Sequence, residues 1–378
     1  MKFSPEHELF RDSVRRFVDA EIAPHVNDWD EAGTFPRELY ARAAAIGLLG
    51  LGYPEACGGT PADTWYRLIA TEEIARAGSG GLMASLFSHN IGLPPIVAHA
   101  SEALKQRVIP DVLAGRKIAA LAITEPGGGS DVARLACRAR RDGAHWVIDG
   151  EKTFITSGMR ADWITLAVRT GGNGAAGISL VAVPGDAPGL ERSELAKMGW
   201  WCSDTAQLRF AGCRVPADHL IGAENAGFRM IMQNFNGERL LMAAGACTFA
   251  QVCHDEALAW ARQRRTFGSA LVEHQVLRHK LMDMRMRIAS TTAWLHALVE
   301  RLEAGDTAAD WVADLCLLKN HATQTMQWCA DQAVQILGGM GYMRGTKSER
   351  IYREVKVMMI GGGAEEIMKE LAARQLGV

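Results

Sequence analysis

The chain has 378 residues, 48% of them hydrophobic, which is enough for two or three packed layers, or two domains, without disulfide or metal staples. Its 41 Lys and Arg against 43 Asp and Glu leave a formal charge of −2, so no overall field favours a polyanion such as nucleic acid or an anionic membrane. The 8 cysteines form no C-x-x-C pair and the 11 histidines no H-x-x-x-H pair; this argues against a metal site and for reduced core thiols in a cytoplasmic protein.

In chain order, "MKFSPEHELFRDSVRRFVDAEIAP" opens with a cap-like Ser4, Pro5 at the first helical position and Glu6 and Glu8 in the first turn. That is the start of a folded helix rather than a signal peptide. The apolar stretch "ARAAAIGLLGLGYP" is too short and too interrupted by glycine to cross a bilayer. Residues 1–117 read as a helical domain broken at "EAGTFP", "YPEACGGTPAD" and "RAGSGG". Residues 118–224 change to short β-favouring runs, "ALAIT", "HWVIDGEKTFIT", "WITLAVRT", "GISLVAV" and "AQLRFAGCRVP", with no helix between them. These predict an antiparallel barrel or sandwich and disfavour a parallel βαβ sheet. Residues 225–378 return to helical periodicity in three long stretches with short connections, a four-helix-bundle pattern. The fold class is therefore α+β, in the order α, β, α.

Four features are weighed for chemistry. "ITEPGGGSDV" (123–132) can leave backbone N–H groups open to cradle an oxyanion or a cofactor edge, with Thr124 and Ser130 adding hydroxyls; it can equally be a surface turn. "LGGMGYMRG" follows a long helix rather than a strand and lacks the dinucleotide-binding spacing. Glu238 interrupts an otherwise apolar helical stripe of Ile231, Phe235, Met242 and Ala246. Burial there would raise its pKa and suit it to accept a proton near neutrality, unless it only pairs with an arginine. In "IGGGAEEIMKE" (360–370), Glu365 and Glu366 read as first-turn residues complementing a helix dipole.

Together, "AITEPGGGSDVA", "GEKTFITSG", "KMGWWCSDTAQLRF", "RVPADHLIGAENAGF", "RRTFGSALVEHQ" and "QILGGMGYMRGTKSERIYREVK" resemble the acyl-CoA dehydrogenase family, in its order and spacing, over essentially the whole chain. The resemblance implies that family's fold, an FAD cofactor and oxidation of a saturated acyl-CoA to the trans-2-enoyl-CoA. It also implies electron-transfer flavoprotein as electron acceptor and a homotetramer built around the C-terminal bundle. A flavoprotein relative that uses oxygen or a non-thioester substrate is the alternative. By the same resemblance, Ile123, Thr124 and Ser130 contact the flavin, with Ser130 also near the substrate. Phe154, Ile155 and Thr156 lie against its ring system, Phe154 standing where many members have Trp. Arg264, Phe267, Gln275, Gln335, Gly338 and Gly339 match positions that bind the FAD diphosphate and adenosine, partly across a subunit boundary, and Glu366 stands near the cofactor.

In many members the catalytic base is a glutamate within a Tyr-Glu-Gly-Thr stretch, where this chain has Gly361, Gly362, Gly363 and Ala364. Isovaleryl and long-chain members place it on the first long helix of the C-terminal domain, directly before an arginine, as "NGERLL" places Glu238 before Arg239. The resemblance thus makes Glu238 the base and the Gly362 N–H one half of the oxyanion hole, with Asn236, Arg239 and Gly363 near the substrate. The missing side chain at 362 implies room for a bulkier acyl group, branched or medium-to-long. Ala364 lacks a hydroxyl that often contacts FAD, and Glu365 adds a negative charge that the resemblance does not explain. Pocket depth is assigned to "GSGGLMASLFSHNIGLPP".

Overall fold

A capping box starts the first helix: the Ser4 hydroxyl accepts from the His7 N–H at 3.3 Å, and His7 Nδ1 accepts from the Ser4 N–H at 3.0 Å. The computed structural model describes residues 3–378. Eight helices come first: α1 (Pro5–Glu21), α2 (Val26–Ala32), α3 (Glu38–Ala45), α4 (Thr64–Ala75), α5 (Gly80–Leu86), α6 (His89–Gly92), α7 (Pro94–His99) and α8 (Glu102–Leu113). Strands follow: β1 (Ala119–Ala122), β2 (Arg138–Asp142), β3 (His145–Thr156), β4 (Trp163–Arg169), β5 (Ile178–Pro184), β6 (Leu190–Glu194), β7 (Thr205–Pro216) and β8 (Leu220–Ile221). Then come α9 (Gly227–Gln263), the small hairpin β9 (Arg265–Thr266) and β10 (Ser269–Ala270), α10 (Gln275–Glu303), α11 (Ala309–Leu337), α12 (Gly339–Tyr342), α13 (Lys347–Ile360) and α14 (Glu365–Leu376). No helix among the described residues is long and apolar enough to cross a membrane.

The strands form one sheet in the order β6-β7-β3-β2-β4-β5-β8, with β1 also on β4. Most neighbours are antiparallel, but the sheet is mixed, which corrects the purely antiparallel expectation. β1 runs parallel to β4 from Ala119↔Trp163 to Ala122↔Leu166, and β2 touches β4 in parallel at Arg138↔Arg169. No crossover helix is needed, because the glycine-rich loop and the β2–β3 hairpin together return the chain to β4. Every residue of β4 is buried. Trp163 and Ala167 face a core shared with Ile96, Val108 and Ile231, while Ile164, Leu166 and Val168 face a second core with Trp146, Leu208 and Phe210. That period-two division explains why the run has no exposed face.

The N-terminal helices and the C-terminal bundle share a single core. Leu68 and Ile74 of α4, Leu82 of α5, Phe249 of α9, Leu318 and Met326 of α11 and Met358 of α13 all belong to it. Polar ties cross the same junction: the fully buried Glu354 accepts from the Gly80 N–H at 2.7 Å and the Gly81 N–H at 3.4 Å, and Arg353 donates to Asp30 at 2.9 Å. Burial pushes the Glu354 carboxyl up to about 7. In the bundle, α10 and α11 are joined by residues 304–308 alone and lie antiparallel, so the C-terminal end of α9, the start of α10 and the end of α11 share one end.

Because Phe249 sits where both helical layers meet, Phe249→Ala is expected to cost about 3–5 kcal/mol. Chemical denaturation followed by circular dichroism should show one earlier transition; two separated transitions would mean that the layers do not share a cooperative core.

Candidate active site

α9 carries Glu238 in its N-terminal third. The carboxylate keeps some open surface although protein surrounds it closely, as at the floor of a recess, and no described residue hydrogen-bonds to it. Burial raises its pKa above the ordinary carboxylate value; the charges of Arg239 and Lys319 pull it back without cancelling that rise. Arg239 forms no ion pair with Glu238. Its Nε donates to the Gly362 carbonyl at 3.0 Å, its NH1 to Asn236 Oδ1 at 3.1 Å, and it lies over the Phe235 ring. The structural ion-pair alternative for Glu238 therefore lacks the contact it requires.

The glycine turn between α13 and α14 faces this stripe. Gly362 and Gly363 have φ of +66° and +117°, the left-handed side that favours glycine. A Cβ at 362 would lie 2.8 Å from Met242 Sδ, and one at 363 would lie 2.3 Å from Met368 Cε. The first of these contacts is with the flexible end of Met242, one turn along from Glu238. No described residue accepts the Gly362 N–H, so the donor is free.

Lys319 of α11 fixes the turn from behind. It has no exposed surface, and its Nζ donates to the carbonyls of Met359 at 3.0 Å and Gly363 at 2.8 Å. Burial, with Arg239 beside it, lowers its pKa to about 8, against the opposing pull of Glu365 and Glu238. Asn320 donates to the Glu365 carbonyl and Gln324 to the Glu365 carboxylate, both at 2.9 Å. The charge at Glu365 thus has an amide partner and a nearby cation. Glu365 and Glu366 stand in the first turn of α14, with Glu366 exposed.

A second group of predicted residues gathers where β1 and β3 end. Ile123 is buried and Thr124 half-buried, and the Thr153 N–H donates to the Thr124 carbonyl at 2.9 Å, tying the glycine-rich loop to β3. Glu125 anchors that loop by accepting from Lys152 Nζ at 2.7 Å and from the Ala136 and Cys137 N–H groups at 2.6 and 2.9 Å. Burial would raise the Glu125 pKa, but Lys152 and these N–H groups hold it below the usual range. Among the described residues, the hydroxyls of Thr124, Ser130 and Thr156 and the N–H groups of Gly129 and Ser130 have no hydrogen-bond partner. Ile155 is buried, whereas Phe154 is 69% exposed with φ of +61°, at a register shift between Lys152 and Ile155. A large ring held outward on strained backbone, beside open hydroxyls and N–H groups, suits a planar cofactor with polar edges.

The remaining predicted residues lie elsewhere. Arg264 and Phe267 are on the α9–α10 connection, Gln275 starts α10, Gln335 is in the last turn of α11 and Gly338 and Gly339 follow it, all exposed and at the same end of the bundle. Glu238 is roughly 37 Å away along α9 at 1.5 Å per residue. A single chain does not bring the two groups together. A cavity of ≈ 580 Å³ between α1, α4, α9 and α10 is also separate; its charges are spent on one another, as in Arg11–Glu72 and Arg76–Glu73, both at 2.8 Å.

Profiles for the acyl-CoA dehydrogenase N-terminal, middle and C-terminal domains match residues 4–116, 120–213 and 225–377. The chain belongs to the acyl-CoA dehydrogenase family. It is 36% identical to the mitochondrial long-chain specific acyl-CoA dehydrogenase of Sus scrofa, over 99% of this chain and 87% of that protein. A probable acyl-CoA dehydrogenase from Mycobacterium abscessus superposes with a TM-score of 0.97 at 46% identity, covering 100% of both chains. A glutaryl-CoA dehydrogenase from Mycobacterium smegmatis, in complex with FADH2, gives a TM-score of 0.92 at 25% identity over 99% of this chain and 95% of that one.

Within this acyl-CoA dehydrogenase frame, sequence reasoning missed Lys319, Glu125 and Lys152. Lys319 carried the signal that revealed Glu238: it interrupts the buried face of Leu315, Ala322 and Met326 on α11. The Glu125–Lys152 pair spans 27 residues and had no periodic signature.

At φ of +117°, any side chain at 363 is strained by about 1–3 kcal/mol. Gly363→Ala is therefore expected to lower the thermal midpoint, and Gly361→Ala, whose φ is not in the left-handed region, to lower it less. Equal midpoints for the two variants in differential scanning calorimetry would contradict this reading of the turn.

Proposed function

We propose that this chain binds FAD and oxidises a saturated acyl-CoA to the trans-2-enoyl-CoA, with Glu238 as the base that removes the α-proton. The observation that carries the reading is the convergence on one recess of a desolvated, unpartnered carboxylate and a turn whose Gly362 N–H is free. An α-C–H beside a thioester becomes acidic only if the oxygen that gains charge is held, and the Gly362 N–H is a donor for that oxygen. A raised pKa lets Glu238 take the proton near neutrality. Arg239 and Lys319 hold the turn by its carbonyls, which leaves the N–H side to the substrate. When bound, FAD supplies the acceptor for the β-hydride.

The hydroxyls of Thr124, Ser130 and Thr156 and the exposed Phe154 would hold and face the flavin. Arg264, Phe267, Gln275, Gln335, Gly338 and Gly339 would hold the FAD diphosphate and adenosine of a partner subunit, a reading supported by their separation from Glu238. Phe267 is 98% exposed, and α10 exposes Val276, Met282 and Met286. An apolar face of this kind supports burial against other copies in a homotetramer. Electron-transfer flavoprotein is the proposed electron acceptor.

Glu238→Gln should retain flavin but slow anaerobic bleaching by a working acyl-CoA by about 10²–10⁴-fold; an unchanged rate would remove Glu238 as the base. In the wild type, reduction should rise with pH through a pKa above the ordinary carboxylate value, because only the ionised base is active. Lys319→Met removes one of the two charges that lower the Glu238 pKa, so its acidic limb should move to higher pH. A stopped-flow pH profile with the limb unmoved, or moved down, would contradict the coupling.

A further inference from the structure

Behind the end of β3 lies a chain of buried hydroxyls that the proposed chemistry does not use. Ser85 of α5, Ser157 directly after β3 and Ser203 just before β7 have no exposed surface. Ser157 Oγ donates to Ser85 Oγ at 3.1 Å, which frees the Ser85 proton for Ser203 Oγ at 2.8 Å, and Ser203 Oγ stands 3.4 Å from the Asp204 carbonyl. The buried Tyr40 hydroxyl of α3 donates to the Ser85 carbonyl at 2.9 Å. Hydroxyls buried in this way add little apolar contact; a satisfied network of them selects the one arrangement of elements in which each meets the next.

The backbone held by this network is strained. Phe154 and Ser157 have φ of +61° and +58°, the left-handed region in residues that are not glycine, and they bracket Ile155 and Thr156. Such backbone persists only where its surroundings over-determine it. The Ser157 N–H donates to the Asp204 carbonyl at 3.0 Å, so its main chain is tied to the segment before β7 while its side chain is tied to α5. The opposite side of α5 meets α9: a Cβ at Gly245 would lie 2.8 Å from Met83 Cε, and Gly245 stands seven residues after Glu238, on the same face and two turns along. Ser85 is two positions from Met83 on the helix, about 200° around it. One short helix thus touches the helix of Glu238 on one side and the end of β3 on the other.

We propose that Ser85 and Ser157 are positioning residues for the oxidation: their hydroxyl pair sets Phe154 and Thr156 against the flavin and fixes that strand end relative to the helix that carries Glu238. The proposal rests on the reading of Phe154 and Thr156 as flavin-facing residues. With no exposed surface, neither serine can touch a ligand, and each acts through its neighbours. Transfer between two bound groups falls steeply when either is displaced by an ångström, so the tie between the two sides of the site bears on rate more than on binding.

The test compares Ser85→Ala with Thr291→Val in the flavin-loaded protein. Thr291 and Thr325 form a buried hydroxyl pair at 3.2 Å between α10 and α11, so Thr291→Val removes a matched hydroxyl outside the network. The probe is the fastest-reducing member of a panel of straight and branched acyl-CoA esters. Ser85→Ala should change the visible absorption band of the bound flavin and slow its anaerobic reduction at saturating ester by about ten- to a hundredfold, with the half-saturating concentration within about twofold of wild type. Thr291→Val should lower the thermal midpoint and leave band and rate as in the wild type. Ser157→Gly, at a φ that suits glycine, removes the partner hydroxyl; added to Ser85→Ala it should slow reduction little further, because the pair acts as a unit. A Ser85→Ala protein with a lowered midpoint but the wild-type band and rate overturns the proposal, as a purely structural role for the hydroxyl. Multiplying effects of the two serine substitutions, or equal effects of Ser85→Ala and Thr291→Val on band and rate, overturn it as well. If Ser85→Ala does not fold, Ser157→Gly alone carries the comparison, with the same expected and overturning results. If the wild type binds no flavin, or no ester of the panel bleaches it, the reading of the active site fails first and takes this proposal with it.

Discussion

Lys319 is a cation without exposed surface, and the geometry of the candidate site depends on what its three N–H donors reach. Two of them hold the carbonyls of Met359 and Gly363, one at the end of α13 and one just before α14. A helix end leaves carbonyls unsatisfied, and a turn of three glycines has many conformations open to it. The ammonium resolves both problems: it takes up otherwise orphaned acceptors and selects the conformation that aims them inward. With those carbonyls and that of Gly362 committed to Lys319 and Arg239, the Gly362 N–H is left facing away from the two cations. The pKa of Lys319 falls to about 8 because burial outweighs its carboxylate neighbours; it is retained as a cation by backbone acceptors rather than by an ion pair.

This arrangement also requires α9, α11 and α13 to keep their relative positions, and the shared core provides that. Phe249, Leu318 and Met358 pack into the same apolar cluster as the N-terminal Leu68 and Leu82, so the wall that bounds the recess and the bundle that carries Glu238 are one packed body. Glu354 ties α13 to the start of α5 through two backbone N–H groups. Its carboxyl titrates near neutrality, so part of this tie is charged and part neutral under ordinary conditions. The strand region is attached differently: β4 has one face on α7, α8 and the start of α9 and the other on the apolar cluster of the strand region itself.

The helix–strand–helix order was legible because periodicity and turn residues report local structure, and that order survived folding. Glu238 was legible because a carboxylate in an apolar stripe at helical spacing is a local anomaly. Lys319 is the same anomaly on α11, and only its partners, 40 and 44 residues further along, were beyond reach. The parallel pairing of β1 with β4 was not legible, since it depends on how a loop of open glycines returns the chain rather than on either strand's own pattern. The contact of Met242 with the glycine turn was not legible either, since a single sequence does not place neighbours from another helix.

The electrostatics at Glu238 differ from those of the paired carboxylates elsewhere in the chain. Burial dominates: Glu238 has two cations within influence and still has its pKa raised, because neither cation hydrogen-bonds to it and protein replaces its water. If it were paired within the chain, it would be part of a stable polar core and would not be free to take a proton. That it is unpaired, while Glu73, Glu125 and Asp204 each hold a basic side chain within 3.1 Å, separates it from those structural ion pairs.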